Sequence, residues 1–93
     1  MARISKEKQE KIIEQVLEIL FLKNPEPIFT SKIAQELARD EEFIKNLLIN
    51  MKKSNLVVEI KKNSHGELYK KRSRWQLSDE VYLIYKKRQT QNT

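Results

Sequence analysis

The stretch TSKIAQELARDEEFIKNLLINMKKSNLVVEI, residues 30–60, decides the fold. Its apolar residues repeat first at helical and then at strand spacing. Ile33, Ala34 and Leu37 form one stripe behind Thr30 as a capping residue, predicting a short helix that ends near Ala38. Asp40 caps the next helix, Glu41 and Glu42 complement the positive end of its dipole, and Ile44, Leu47, Leu48 and Met51 supply its buried face. That helix ends near Ser54-Asn55, where Asn accepts the left-handed conformation at lower strain than most residues. From Leu56 the period drops to two: Leu56, Val58 and Ile60 alternate with Val57, Glu59 and Lys61, and a strand follows.

Upstream, Ile12, Ile13, Val16, Leu17 and Leu20 predict a first helix, with Ser5 as its cap and Glu7, Glu10, Glu14 and Glu18 on its outer side. Asn24-Pro25-Glu26-Pro27 stops it near Lys23, because each proline disfavours helical dihedrals in the residue before it. Ile28-Phe29 is long enough only for a short edge strand. Downstream, Asn63-Ser64-His65-Gly66 holds the one glycine of the chain and predicts the turn of a hairpin. The return strand runs from about Glu67 to Leu77, with Trp75 and Leu77 toward the core and Lys70, Arg72, Arg74 and Gln76 away from it. The indole N–H of Trp75 is expected to reach a nearby carbonyl. Ser78 caps a last helix that reaches about Arg88, and residues 1–4 and 89–93 are expected to fray.

This order, helix, short strand, helix-turn-helix, β-hairpin and C-terminal helix, resembles the winged-helix DNA-binding superfamily, in the form of its small prokaryotic and archaeal transcription regulators. The resemblance reaches individual residues over about half the chain: Ile33-Ala34, Leu37, Asp40, Ile44, Leu48, Met51 and then Leu56-Val57, followed by Arg74-Trp75-Gln76-Leu77-Ser78 where the family's second wing strand enters its last helix. Departures are Arg39, where an apolar residue is usual, and Asn55, where glycine is usual. The resemblance implies an α+β winged helix occupying residues 1–93 as one domain. It also implies that the third helix approaches the major groove, where Glu41, Glu42, Phe43, Lys45, Asn46 and Asn50 occupy the base-reading positions. Lys donates to guanine and Asn bonds adenine in two places, so Lys45, Asn46 and Asn50 are the candidate readers. Two carboxylates at the start of that helix oppose phosphate.

Charge narrows the choice of partner. The chain has 93 residues and a formal charge of +6, and residues 70–93 carry seven basic and two acidic groups, so +5 of that excess lies there. Lys61, Lys62, Lys70, Lys71, Arg72 and Arg74 place six cations on the hairpin, a footprint suited to a phosphate backbone. His65 at the hairpin tip is a candidate groove contact, and Thr30 and Ser31 are candidates to offer backbone N–H groups to phosphate at the start of the second helix. In an arbitrary domain the same lysine run would be a solvated edge strand. Without cysteine and with one histidine, the chain lacks the residues for a thiolate zinc site, a two-histidine metal site or a cysteine nucleophile, and no glycine-rich loop cradles a nucleotide. No enzyme activity, metal or cofactor is expected. No apolar run is long enough to cross a membrane and residues 1–11 are too charged for a signal peptide, so a cytoplasmic location is expected.

Val81, Tyr82, Leu83, Ile84 and Tyr85 are five consecutive apolar or aromatic residues, more than one side of a helix can bury. A homodimer through Ile13, Leu17, Val81, Tyr82, Ile84 and Tyr85 is expected; the alternative is that the first helix covers this surface within a monomer. Two other functions share the fold: a protein-docking module using Phe43, Leu47 and Ile49, and a binder of structured RNA.

Overall fold

The computed structural model describes residues 5–61 and 73–91. Their order is α1 (Lys6–Lys23), β1 (Ile28–Phe29), α2 (Thr30–Leu37), α3 (Glu41–Lys53), β2 (Val57–Ile60), β3 (Arg74–Leu77) and α4 (Asp79–Gln91). The three strands form an antiparallel sheet in the order β1-β3-β2. The short strand β1 is therefore an edge, as its two residues predict, and β3 is central, facing Ile28 and Phe29 on one side and Val57 to Ile60 on the other.

Most helix boundaries obey local chemistry. The Ser5 hydroxyl accepts from the Lys8 N–H at 3.2 Å, the Asp40 carboxylate from the Phe43 N–H at 3.1 Å, and the Ser78 hydroxyl from the Val81 N–H at 3.3 Å. Both helices of the helix-turn-helix end in the same double bond. At the end of α2, Arg39 N–H reaches the Ala34 carbonyl and Ala38 N–H the Gln35 carbonyl; at the end of α3, Leu56 and Asn55 do the same to Met51 and Lys52. This closure demands a left-handed residue, and Ala38 (φ 53°) and Asn55 (φ 61°) supply it. Asn55 matches its expected role; Ala38 takes the conformation at a cost of about 1 kcal/mol, because its Cβ crowds the following carbonyl.

The core gathers Ile12, Val16 and Leu20 of α1, Ile33 and Ala34 of α2, Ile44, Leu47, Leu48 and Met51 of α3, and Val57, Trp75 and Leu77 of the sheet. Each helical set follows the spacing read from the sequence. Glu7, Glu10, Glu14 and Glu18 are exposed, as expected.

Three local expectations need correction, and the facing of β2, which its alternation left open, is settled by register. Thr30 does not cap α2: Phe29 stands at the cap without a side-chain bond, and Thr30 is buried, its hydroxyl accepting from the Trp75 indole N–H at 2.7 Å. The indole thus finds a hydroxyl, not a carbonyl. On β2 the apolar alternation of Leu56, Val58 and Ile60 does not mark the core face, because Val57 faces inward and Val58 is 43% exposed. The register Val57↔Leu77 and Glu59↔Trp75 sets this face, since paired residues share a side of the sheet. Finally, α4 continues to Gln91, three residues beyond Arg88.

Candidate nucleic-acid interface

The outer face of α3 is the first part of the candidate interface. Burying Ile44, Leu47, Leu48 and Met51 leaves Glu41, Glu42, Lys45, Asn46, Asn50 and Lys53 exposed, a polar strip along the helix. Three of these, Lys45, Asn46 and Asn50, are the expected base readers, and the helix brings them to one solvent-facing side. Phe43 and Ile49 are partly buried against the core and Leu47 is 2% exposed. Leu47 is therefore a core residue, and the docking surface expected from Phe43, Leu47 and Ile49 loses its central member.

The start of α2 divides its two candidates. Ser31 is exposed. Thr30 is committed elsewhere, because its N–H donates to the Ser73 carbonyl at 3.3 Å, so it has no N–H to give to a phosphate. Its hydroxyl donates to the same carbonyl at 3.5 Å. Thr30 joins α2 to the strand pair instead of lining the ligand surface.

Of the hairpin cations, Lys61 follows β2 and is exposed. Arg74 is half-buried, with its guanidinium 5.9 Å from the centre of the Phe29 ring, a cation–π approach that holds it against the sheet edge. Lys62, His65, Lys70, Lys71 and Arg72 lie outside the described residues, as do the turn at Gly66 and the first part of the expected return strand.

A polar link that no sequence spacing announces lies at the root of the hairpin. Lys52, in the last turn of α3, donates to Glu59 Oε1 at 2.9 Å, and the Ser73 hydroxyl donates to Glu59 Oε2. Burial raises the Glu59 pKa, but the hydrogen bonds from Ser73 and Lys52 and the charges of Lys52 and Lys61 outweigh it, so the carboxyl sits below its ordinary 4.5. Among the described residues no group of histidine and acidic side chains has the arrangement of a metal site, and no helix is long and apolar enough to cross a membrane.

The residues expected at a dimer surface separate into two sets. Leu17 (7% exposed) and Val81 (8%) belong to the chain's own core, and Ile13, Tyr82 and Tyr85 pack partly against it. Phe21 of α1 holds both tyrosines of α4, with ring centres 5.6 Å apart in each pair. To this extent α1 covers α4 within one chain. Ile84 remains 54% exposed, beside Leu83 at 57% and Leu22 of α1 at 68%. Leu22, Ile84 and Tyr85 line an open groove of about 540 Å³ between the two helices, with Glu14, Glu18 and Arg88 on its walls.

No protein-family model and no curated protein matches this chain. Solved structures do. An apo form of ZitR from Lactococcus lactis superposes with a TM-score of 0.61 at 17% identity, covering 92% of this chain and 62% of ZitR. MepR from S. aureus in complex with DNA gives 0.66 at 18% identity over 91% of this chain and 73% of MepR. The PcaV transcriptional regulator from Streptomyces coelicolor, in complex with its natural ligand, gives 0.61 at 14% identity over 89% and 51%. The chain spans about three fifths of the length of ZitR. Among the described residues, four helices around a small antiparallel sheet, joined in this order and sharing their architecture with ZitR, MepR and PcaV, make the fold a winged helix.

Proposed function

We propose that this protein is a non-enzymatic, cytoplasmic regulator that binds duplex DNA, setting the outer face of α3 at the major groove and gripping flanking phosphates with its wing. The observation that carries this reading is the exposed strip of Lys45, Asn46, Asn50 and Lys53 beside a strand pair whose connection holds Lys61, Lys62, Lys70, Lys71 and Arg72. Cations on the wing supply affinity without reading sequence, while amide and ammonium groups on α3 face the bases. The DNA complex of MepR, which has the same fold, supports it. Two copies paired through the Leu22, Leu83 and Ile84 surfaces would present two such faces to one duplex.

Titration of a labelled duplex against salt tests the mechanism. With about four to six phosphates neutralised per protomer, log K falls against log salt with a slope of about −4 to −5. Replacing Lys70, Lys71 and Arg72 together by alanine lowers that slope by about three. A flat salt response, or tighter binding to structured RNA than to duplex DNA, overturns the reading.

A further inference from the structure

We propose that Glu59 is a positioning residue for the duplex interface: its carboxylate clamps the C-terminal end of α3 to the root of the wing and so fixes the angle between the two elements that hold DNA. The inference rests on the duplex-binding reading above. By charge alone an acidic group next to Lys61 opposes phosphate, so its presence there calls for another role.

The geometry supplies that role. Glu59 lies on the same side of β2 as the core residue Val57, directly across from Trp75 of β3, and its side chain is 13% exposed. Its two oxygens serve different elements: Oε1 takes the ammonium of Lys52 from α3 at 2.9 Å, and Oε2 takes the hydroxyl of Ser73, the residue just before β3. The Ser73 carbonyl in turn accepts the N–H and the hydroxyl of Thr30 at the start of α2, and that hydroxyl accepts the Trp75 indole N–H. One chain of polar contacts thus joins the end of α3, both wing strands and the start of α2. Charge-assisted bonds to a largely enclosed carboxylate are stronger and more directional than those of an exposed pair, and Glu59 is the member whose charged group bridges α3 and the start of β3.

The test exploits opposite signs. Glu59→Gln keeps the side chain's shape but leaves one acceptor oxygen for two donors and no charge for Lys52. If Glu59 only adds negative charge or masks Lys52, removing it tightens duplex binding. If it positions α3 against the wing, affinity for a labelled mixed-sequence duplex falls by about fivefold or more, the equivalent of one lost hydrogen bond. Glu41→Gln, the same charge change on the exposed start of α3, leaves binding unchanged or tighter. In the Lys52→Met, Glu59→Gln double variant the loss is no greater than in Glu59→Gln alone, because Lys52→Met breaks only a link that Glu59→Gln already breaks. Circular dichroism melts establish that each variant is folded at the assay temperature, and Ser73→Ala, which removes the other anchor, decides the matter if Glu59→Gln does not fold. Unchanged or tighter binding by Glu59→Gln, or additive losses in the double variant, overturns the clamp alone. Absence of duplex binding by the unaltered protein overturns the duplex reading and the clamp with it.

Discussion

At the scale of single residues, Thr30 is the position where structure and local chemistry part. Its place before an apolar stripe makes it look like a helix cap, yet it is buried, and its hydroxyl satisfies the indole of a tryptophan 45 residues away. A satisfied polar pair inside a core contributes little net stability, whereas an orphaned donor costs its full desolvation. Thr30→Val keeps the shape and removes the acceptor, so it lowers unfolding stability by about 1–3 kcal/mol. Urea denaturation of the two proteins measures this; an unchanged midpoint means the indole finds another partner. Trp75 itself was legible as core, because it alternates with Leu77. Its partner was not, since no spacing along the chain links Thr30 to it. Glu59 was illegible for the same reason: in the sequence it is one charged residue in an alternating strand, and its role exists only once Lys52 and Ser73 close around it.

At the scale of elements, the helices of the helix-turn-helix follow their sequence closely, and α4 does not. Asp40 and the three-and-four spacing of Ile44, Leu47, Leu48 and Met51 define both the start and the buried face of α3. Five apolar or aromatic residues in a row give α4 no such face. Packing chooses one: Val81 enters the core, Tyr82 and Tyr85 rest on Phe21, and Leu83 and Ile84 remain outside. The outward pair belongs to the proposed self-association surface, together with Leu22. Ile84→Lys therefore shifts the monomer–dimer equilibrium toward monomer in sedimentation experiments. Because the side chain is exposed within one chain, monomer stability stays within about 0.5 kcal/mol. A protein that sediments as a monomer before the substitution contradicts the dimer.

At the scale of the whole molecule, the pH dependence of stability reports on the link between helix and wing. Since the folded-state pKa of Glu59 lies below its ordinary 4.5, the unfolded chain takes up this proton first as the solution is acidified. The contribution is complete above about pH 4.5 and is lost as pH falls through the folded value. Urea midpoints measured from about pH 7 down to about pH 3 fall less steeply for Glu59→Gln than for the unaltered protein. Equal slopes contradict the assignment. At the alkaline end, burial raises Tyr85 above 10.0, with Arg88 opposing and Glu14 and Glu18 adding to the rise. Its contribution is present below that ordinary value and is lost as pH rises through the folded one.

The amino-acid sequence by itself determined the order of helices and strands, the buried face of α1, α2 and α3, and most of their caps, because those depend on neighbours within a few residues. It also determined where the positive charge lies along the chain. Tertiary structure decided which side of β2 faces inward, because register against β3 and not hydropathy alternation orients Val57 and Glu59. It likewise decided that Thr30 serves the wing's root, and that of the apolar run at residues 81–85 in α4 it is Leu83 and Ile84 that stay exposed. Each of these depends on a contact between segments distant in sequence, and such contacts exist only after the chain has closed on itself.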